Sequence, residues 1–283
     1  LTHVETKIAG EPVSFQARRY ILAGGALGSA RLLLASASED WPEGCANSSG
    51  LVGRNLMFHL DEMVAIWPKE KFKGASRTIA LRDFYYRDGQ RFGMFQAMGI
   101  DVGYGEIVSY LNLLFDRSFL RRWTKLRHLT RIPAAIGARL FGNAKVFVGI
   151  LEDLPYRDNR VELHPDDPSR FDITYRFSDE LLARRKAYRK TLRQSLRGLR
   201  RAMIGVEPML NLGHPCGTAV FGSDPAQSVL NPNCRTHDLG NLYVVDASFM
   251  PTSMGVNPSL TIAANALRVA DHIKQELKGN ADG

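Results

Sequence analysis

One run of the sequence, NLYVVDASFMPTSMGVNPSLTIAANALRVADHI (residues 241–273), restricts the fold more than any other. It opens with an apolar stretch, Leu242 to Val245, that ends at Asp246 and leads into a loop rich in Pro, Gly, Ser and Thr. Asn257 and Pro258 follow, and these residue types favour the N-cap and the first position of a helix. The apolar and alanine-rich residues beyond them predict a helix that is buried and closely packed. The run therefore predicts a strand–loop–helix unit of an α/β fold.

A second strand–turn–helix unit lies near the start of the chain, in VSFQARRYILAGGALGSARLLLA (residues 13–35). Tyr20 to Ala23 have the apolar character of a buried strand, Gly24 and Gly25 form the turn, and the helix is expected from Ser29. Glycines in such a turn let the backbone approach a ligand closely. Their spacing does not fit the G-x-G-x-x-G pattern of dinucleotide-binding turns, and no other stretch of the chain fits it.

The middle of the chain has a different pattern. Short β-type stretches separated by turns, from about residue 61 to 152, predict an antiparallel sheet, and residues 159–177 predict a hairpin. Residues 178–203 keep apolar side chains at helical spacing and predict one long amphipathic helix. The order of elements predicts a mixed α/β (α+β) fold, in which an α/β domain of residues 1–60 and 206–283 is interrupted by a domain of residues 61–205 with an antiparallel sheet and helices.

The chain is basic, with a net charge of +8, which favours anionic partners. The basic residues cluster in residues 117–139 and 184–201, where helical patterns let the charge simply coat exposed faces. Three cysteines are too few for a disulfide framework, so we expect a reducing, cytoplasmic location. Because the sequence begins at Leu1 rather than Met, and within a predicted strand, we also expect further residues upstream.

Three polar residues are candidates for chemistry. Asp246 ends a predicted strand, where α/β folds bind ligands and a carboxylate can accept hydrogen bonds from ligand hydroxyls. Asn257 begins a helix whose free N–H groups suit an anion, or an oxygen that becomes negative during a reaction. His214, in the glycine-rich HPCGTAVFGSDP, has the right pKa range for a general base. The simpler interpretation is that Asp246 caps its loop, Asn257 caps its helix and His214 is hydrogen-bonded in a turn, and the sequence alone leaves both open.

Several stretches resemble one family, the glucose–methanol–choline (GMC) flavin oxidoreductases. The C-terminal signature of that family is similar to two stretches of this chain, HPCGTAVFG and SVLNPNCRTHDLGNLYVVDASFMPTSMGVNPSLTIAANALRVADHI. The second signature of the family resembles ILAGGALGSARLLLAS, and the segment that follows that signature resembles GLVGRNLMFH. A strand pair of the family's substrate domain resembles EDLPYRDNRVEL. The pieces occur in the family's order, so we expect the chain to be the C-terminal portion of such an enzyme, with residues 1–60 and 206–283 in the FAD-binding domain and residues 61–205 in the substrate domain.

The resemblance implies roles for individual residues. His214 matches the active-site histidine, and Asn257 matches a second active-site position that is His or Asn in the family. The implied activity is FAD-dependent oxidation of an alcohol or sugar CH–OH group, with oxygen, a quinone or a cytochrome left open as electron acceptor. The residues that match flavin contacts are Ala23, Gly24, Asp246, Ala247, Asn257, Pro258 and Thr261. The chain departs from the pattern at Ser29-Ala30, where the family has Ser-Pro, and it lacks the G-x-G-x-x-G that holds ADP, so we expect the isolated chain to bind FAD poorly.

Other functions stay open on the sequence. His214-x-Cys216 and Cys234-x-x-His237 supply four residue types that bind zinc, although their spacing is irregular and we expect no metal. A serine hydrolase is disfavoured because the chain has no G-x-S-x-G. A non-catalytic alternative is binding to an anionic or membrane surface. Residues 119–139 interleave basic and apolar side chains as membrane-surface helices do, whereas residues 184–201 are better explained as a solvated helix face, and we expect no nucleic-acid partner.

Overall fold

A computed structural model describes residues 1–70, 77–101, 103–142, 144–205 and 207–279. The chain folds into two compact units. The first contains Leu1–His59, Glu152–Leu181 and Leu210–Gly283, and the second contains Leu60–Leu151 and Leu182–Met209. The strands are β1 (Val4–Ile8), β2 (Glu11–Phe15), β3 (Tyr20–Leu22), β4 (Met57–Trp67), β5 (Ala80–Leu81), β6 (Tyr86–Arg87), β7 (Gln90–Arg91), β8 (Phe95–Asp101), β9 (Lys145–Glu152), β10 (Arg160–His164), β11 (Asp167–Thr174), β12 (Arg200–Met203), β13 (Leu210–Cys216) and β14 (Leu242–Val244). The helices are α1 (Gly25–Ala35), α2 (Tyr104–Arg117), α3 (Arg131–Phe141), α4 (Asp179–Ser195) and α5 (Ser259–Gly279), with short 3-10 turns at Phe119–Arg122, Thr124–Thr130 and Ala247–Phe249.

The first unit is built on the two strand–loop–helix units read from the sequence. Strands β3 and β14 pair in parallel, with Tyr20 opposite Leu242 and Leu22 opposite Val244. Parallel strands place their carboxyl ends at the same edge of a sheet. Ala23 and Gly24, which follow β3, therefore lie beside the residues that follow β14. A buried core that includes Tyr243 and Val244 packs around this pair.

The hairpin β10–β11 is antiparallel, as the sequence predicted, with Val161 opposite Ile173. It belongs to the first unit, although the sequence-based division placed it between residues 61 and 205. The reason is a small buried cluster in which Val161 packs with Ala30 of α1 and with Leu56 and Phe58. Apolar alternation in the hairpin shows that one face is buried, but it does not say which element covers that face.

The second unit is organised around an antiparallel sheet with the strand order β12-β4-β9-β8-β5, which the sequence predicted as a fold type. Helix α4 packs Tyr188 against the sheet, where the ring stacks on Phe92 with centroids 5.1 Å apart. Gly149 makes room for it, since a Cβ there would lie 2.7 Å from the Tyr188 hydroxyl.

Two helix predictions are wrong in part. The long helix predicted over residues 178–203 ends at Ser195, because Gly198 adopts a left-handed backbone (φ +84°) and the chain continues as strand β12 on the sheet. Left-handed glycine is a common helix terminator. Helix α5 is not buried on all faces, since Leu260 and Leu267 are 82% and 70% exposed. Alanine favours helices whether or not they are covered, so its abundance did not report burial.

The arginines of α4 do not form a freely solvated basic face. Arg185 and Arg189 both donate to the carboxylate of Glu62, whose side chain is fully buried on β4. Arg189 also donates to the Gly205 carbonyl (2.7 Å). Burial raises the pKa of Glu62 above its ordinary value, and the two arginines act against that rise. Part of the charge that looked available for an anionic partner is therefore used inside the second unit.

Candidate active site

Asp246 joins the ends of β3 and β14. Its Oδ2 accepts hydrogen bonds from the Gly25 N–H (3.0 Å) and from the Ser29 hydroxyl. Its Oδ1 accepts from the Ser248 N–H (2.9 Å) and the Ser248 hydroxyl (2.5 Å). The Ser29 hydroxyl oxygen in turn accepts from the Gly24 N–H (3.0 Å). The buried carboxylate thus holds the glycine turn against the strand end, as the simpler interpretation expected, and its contact with a flavin stays a prediction.

The HPCGTAVFG segment runs beside the loop that follows β14. The Gly217 N–H donates to the Ala247 carbonyl (3.1 Å), and the Ala219 N–H donates to the Ser248 carbonyl (3.0 Å). Gly217 has a left-handed backbone (φ +89°), and a Cβ there would lie 2.5 Å from the Asn55 carbonyl oxygen. Only glycine fits this close passage. The segment carrying His214 is therefore tied to the predicted flavin-contact residue Ala247.

His214 pairs with a second histidine. Its Nδ1 lies 3.0 Å from Nδ1 of His59, and the two rings meet edge to face with centroids 5.1 Å apart. His59 is fully buried on β4, and that burial lowers its pKa to about 4. Partial burial also lowers the pKa of the partly exposed His214 below its ordinary value. Both imidazoles are therefore neutral at neutral pH, which is the form that can take a proton.

The Nε2 atom of His59, on the side of the ring away from His214, faces two backbone carbonyls. Its Nε2 lies 2.9 Å from the Ser253 carbonyl oxygen and 2.7 Å from that of Met254. These carbonyls are fixed by Asp153, whose N–H donates to the Ser253 hydroxyl oxygen (2.7 Å) and whose carbonyl accepts from the Ser253 N–H (3.2 Å). The buried Asp153 carboxylate accepts in turn from the Tyr175 hydroxyl (2.7 Å). Hydrogen bonds of the buried Asp153 therefore hold the backbone that His59 contacts.

Asn257, Pro258 and Thr261 lie at the start of α5, where the Ile262 N–H donates to the Pro258 carbonyl (3.0 Å). Asn257 is exposed and Pro258 is buried. Asn257 follows Met254, the residue whose carbonyl faces His59, by three residues, a chain length that spans at most about 11 Å. The predicted convergence of His214 and Asn257 on one ligand stays a prediction that this short connection favours.

The edge where β3 and β14 end, with Ala23, Gly24 and Asp246, is called the strand-end edge, and part of its backbone is exposed. Ala23 and Gly24 are exposed there, and a Cβ built on Gly25 or Gly28 would meet no atom within 4 Å. A ligand can therefore approach the backbone of the turn directly. Helix α1 begins at the same turn, where the Gly25 N–H already donates to the Asp246 carboxylate (3.0 Å). The exposed backbone of the turn has room for a cofactor such as FAD.

The four residues of the zinc alternative have other partners. Cys216 is buried, and burial raises the pKa of its thiol. Cys234 accepts from the Asn265 side-chain amide (3.3 Å), and His237 pairs with the Ser228 hydroxyl (3.0 Å). Across the described parts of the chain, no three His, Cys, Asp or Glu residues stand close enough to hold a metal ion.

His59 is the residue that the sequence-based assignment missed. It lies within GLVGRNLMFH, which was compared with the family but given no role. A signal was present, because a histidine stands within the apolar residues Leu56 to Leu60 at the start of a predicted element. A polar side chain inside such a stretch is buried only with hydrogen-bond partners. What the stretch could not reveal is that one of those partners is His214.

The sequence is similar to those of known oxidoreductases. Residues 155–266 match the sequence model of the GMC oxidoreductase family. A 2-methyl-1,2-propanediol dehydrogenase from Mycolicibacterium austroafricanum is 29% identical over 99% of this chain and 52% of its own length. The fructose dehydrogenase large subunit from Gluconobacter japonicus is 28% identical over 93% of this chain and 48% of its own length.

The fold also matches solved structures. An FAD-dependent oxidoreductase from Chaetomium thermophilum superposes with a TM-score of 0.60 at 17% identity, covering 98% of this chain and 59% of that chain. The chain spans about half the length of the curated relatives named above. Residues 155–266 therefore match the GMC oxidoreductase family, and the chain as a whole is similar to dehydrogenases in sequence and to an FAD-dependent oxidoreductase in fold.

Proposed function

We propose that the protein containing this chain is an FAD-dependent oxidoreductase that oxidises a CH–OH group of an alcohol or sugar. The observation that carries the proposal is the partly exposed, neutral His214, held by a buried histidine and tied through its segment to Ala247 at the strand-end edge. GMC oxidoreductases depend on FAD, and the named relatives are a diol dehydrogenase and a fructose dehydrogenase subunit.

His214 and Asn257 have separate roles in this proposal. The substrate O–H and the adjacent C–H bond break while the C=O bond forms, and His214 takes the hydroxyl proton. Bound FAD would supply the acceptor for the hydride that leaves the carbon. Asn257 would hold the substrate oxygen through its carboxamide and so fix the angle at which the carbon reacts. The residues that would hold FAD are Ala23, Gly24, Asp246, Ala247, Asn257, Pro258 and Thr261.

The test is anaerobic reduction of the flavin in the protein as its gene encodes it, with a panel of alcohols and sugars. We expect at least one compound to bleach the visible absorbance of oxidised flavin and to yield its aldehyde or ketone in equal amount. The matched control is the same compound with its hydroxyl methylated, since an ether has no proton to give to His214. Bleaching by the ether at the same rate, or a purified protein that takes up no FAD, would contradict the proposal.

The electron acceptor is a separate question. Oxygen, a quinone and a cytochrome are all able to accept electrons from a reduced flavoenzyme, and the same preparation distinguishes them once a reducing substrate is known.

We propose as a second candidate function that residues 119–139 bind a membrane surface. The side chains of Phe119, Trp123 and Ile132 are 78%, 54% and 61% exposed, and arginines flank them in the sequence. Exposed aromatic and aliphatic groups among basic residues favour the interface of an anionic bilayer. The segment is three short helical pieces rather than one helix, with a break at Trp123. Within the described ranges, no helix has both the length and the apolar character to cross a bilayer.

Co-sedimentation with liposomes tests the second candidate. We expect binding to vesicles that contain phosphatidylglycerol, weaker binding to pure phosphatidylcholine, and a loss of about tenfold in affinity for Trp123→Asp, because a buried indole contributes on the order of 1.5 kcal/mol or more. Trp41→Asp, in the first unit, serves as the matched control. Vesicle binding that is unchanged in Trp123→Asp argues against this role for the segment.

A further inference from the structure

Two backbone carbonyls that face the buried His59 determine which histidine donates the hydrogen bond between His59 and His214. A carbonyl oxygen can only accept a hydrogen bond, and His59 Nε2 faces two carbonyl oxygens, of Ser253 at 2.9 Å and of Met254 at 2.7 Å. His59 Nε2 therefore carries a proton. A neutral imidazole has a single N–H, so the other nitrogen of His59, Nδ1, has a lone pair and can only accept.

That lone pair decides the state of His214. His59 Nδ1 is 3.0 Å from His214 Nδ1, a hydrogen-bond distance that requires one donor and one acceptor. With His59 Nδ1 as the acceptor, His214 Nδ1 is the donor. The same count of one N–H for each neutral ring leaves His214 Nε2 without a proton.

We propose that His59 is a positioning residue that fixes His214 in the Nδ1–H tautomer and so presents the lone pair of His214 Nε2 to the substrate. The tautomer follows from the geometry of the pair, whereas the use of the lone pair as a base rests on the proposed function. A general base works only when the nitrogen that faces the substrate is free of its proton. Without a fixed partner, His214 would divide its neutral form between two tautomers, and one of them has no lone pair at Nε2.

The surroundings of His59 maintain this arrangement at neutral pH. Burial lowers the pKa of His59 to about 4, and His214 acts in the same direction, whereas the Ser253 and Met254 carbonyls and the buried Glu152 act against it. One of the two carbonyls that face His59 Nε2 belongs to Met254, whose backbone has a left-handed φ of 55°. The Ser253 hydroxyl donates to that same carbonyl oxygen (3.1 Å). An uncommon backbone conformation held by a buried hydroxyl aims the carbonyl at the ring.

The first experiment is the ¹⁵N NMR spectrum of the histidine-labelled protein, which reads the tautomer without any need for turnover. At neutral pH we expect the His59 signals to show a protonated Nε2 and the His214 signals to show a protonated Nδ1. Labelled His214→Gln and His59→Gln variants assign the two sets of signals. A wild-type His214 protonated at Nε2, or a nearly equal mixture of tautomers, would overturn the proposal, whatever the activity of the flavin-loaded protein.

The second experiment separates positioning from packing through three substitutions of His59. Asn places its carbonyl oxygen where Nδ1 stood and keeps the acceptor, Gln places its amide N–H₂ where Nε2–H stood and keeps the donor to the carbonyls, and Leu keeps neither. We expect kcat/KM of the FAD-loaded protein to stay within about tenfold of wild type in His59→Asn and to fall about 100-fold in His59→Gln and His59→Leu. A residue needed only to hold the Ser253–Met254 loop would give the reverse order, with Gln the best replacement, and that order would overturn the proposal.

Discussion

Replacement of His214 by Ala is expected to lower kcat of the FAD-loaded protein by about 10² to 10⁴-fold, the range that a positioned general base contributes. The variant should keep its flavin, because the predicted flavin contacts lie on other segments, in the turn after β3, the loop after β14 and the start of α5. Since partial burial lowers the pKa of His214, its neutral form persists below pH 6.5. The wild-type rate should therefore decline only at more acidic pH, as the imidazole takes a proton from solvent.

Rapid mixing of the oxidised protein with its alcohol measures this prediction directly, as the rate of flavin bleaching in a single turnover. The matched control is His164→Ala, a histidine at the end of β10 whose Nδ1 accepts from the Asp166 N–H (3.3 Å) in the exposed hairpin turn. Added imidazole should restore part of the rate to His214→Ala, since the free base can enter the space that the side chain left. Near-normal bleaching by His214→Ala would remove His214 from the role of base, and an equal loss in His164→Ala would show that the effect is not specific to His214.

The sequence predicted the two strand–loop–helix units of the first unit because their signals are local. Tyr20 and Leu242 begin apolar stretches that stop at a glycine turn and at an aspartate, and each stretch is followed by a helix. In the structure their strands pair in parallel, which brings Gly24 and Asp246 to one edge of the sheet. The chemical role of Asp246 was less predictable. Its four donors include Ser29, which lies more than two hundred residues away in the sequence.

Contacts between distant segments account for what the sequence did not predict. The pairing of His59 with His214 joins residues 155 apart, and neither local pattern indicates the other. Helix α4 ends at Ser195 because Gly198 turns the chain onto the sheet, whereas the apolar spacing of residues 178–203 continues past that point. Periodicity reports which side chains are apolar, and tertiary pairing decides whether those side chains face a helix or a sheet.

The buried Glu62 shows that a run of charged residues in the sequence likewise does not reveal whether those charges are solvated or paired. A run of arginines on a helix is typical of a solvated surface, yet Arg185 and Arg189 of α4 both donate to this one carboxylate. Their side chains are only 11% and 17% exposed, and that of Glu62 is 0% exposed. Removal of the carboxylate would leave two cations facing each other in a site that water barely reaches.

Glu62→Ala is therefore expected to destabilise the second unit by about 3 to 5 kcal/mol, the range measured when one partner of a buried ion pair is removed. The free energy of urea unfolding, followed by the fluorescence of Trp67 and Trp123 in that unit, measures the effect. The matched control is Glu162→Ala, which breaks a 2.7 Å pair with Arg160 whose carboxylate side chain is 44% exposed. It should cost less than about 1 kcal/mol because solvent screens exposed pairs.

A triple variant, Glu62→Leu with Arg185→Met and Arg189→Met, separates an unpaired charge from lost packing. It removes all three charges and keeps most of the apolar volume, so we expect it to recover most of the stability lost in Glu62→Ala. Apolar replacement of a complete buried ion cluster is often neutral or stabilising, since the cost of taking the ions out of water disappears with them. A triple variant as unstable as Glu62→Ala would mean that the arginines act through their backbone contacts, such as that of Arg189 with the Gly205 carbonyl, and not through the charge of Glu62.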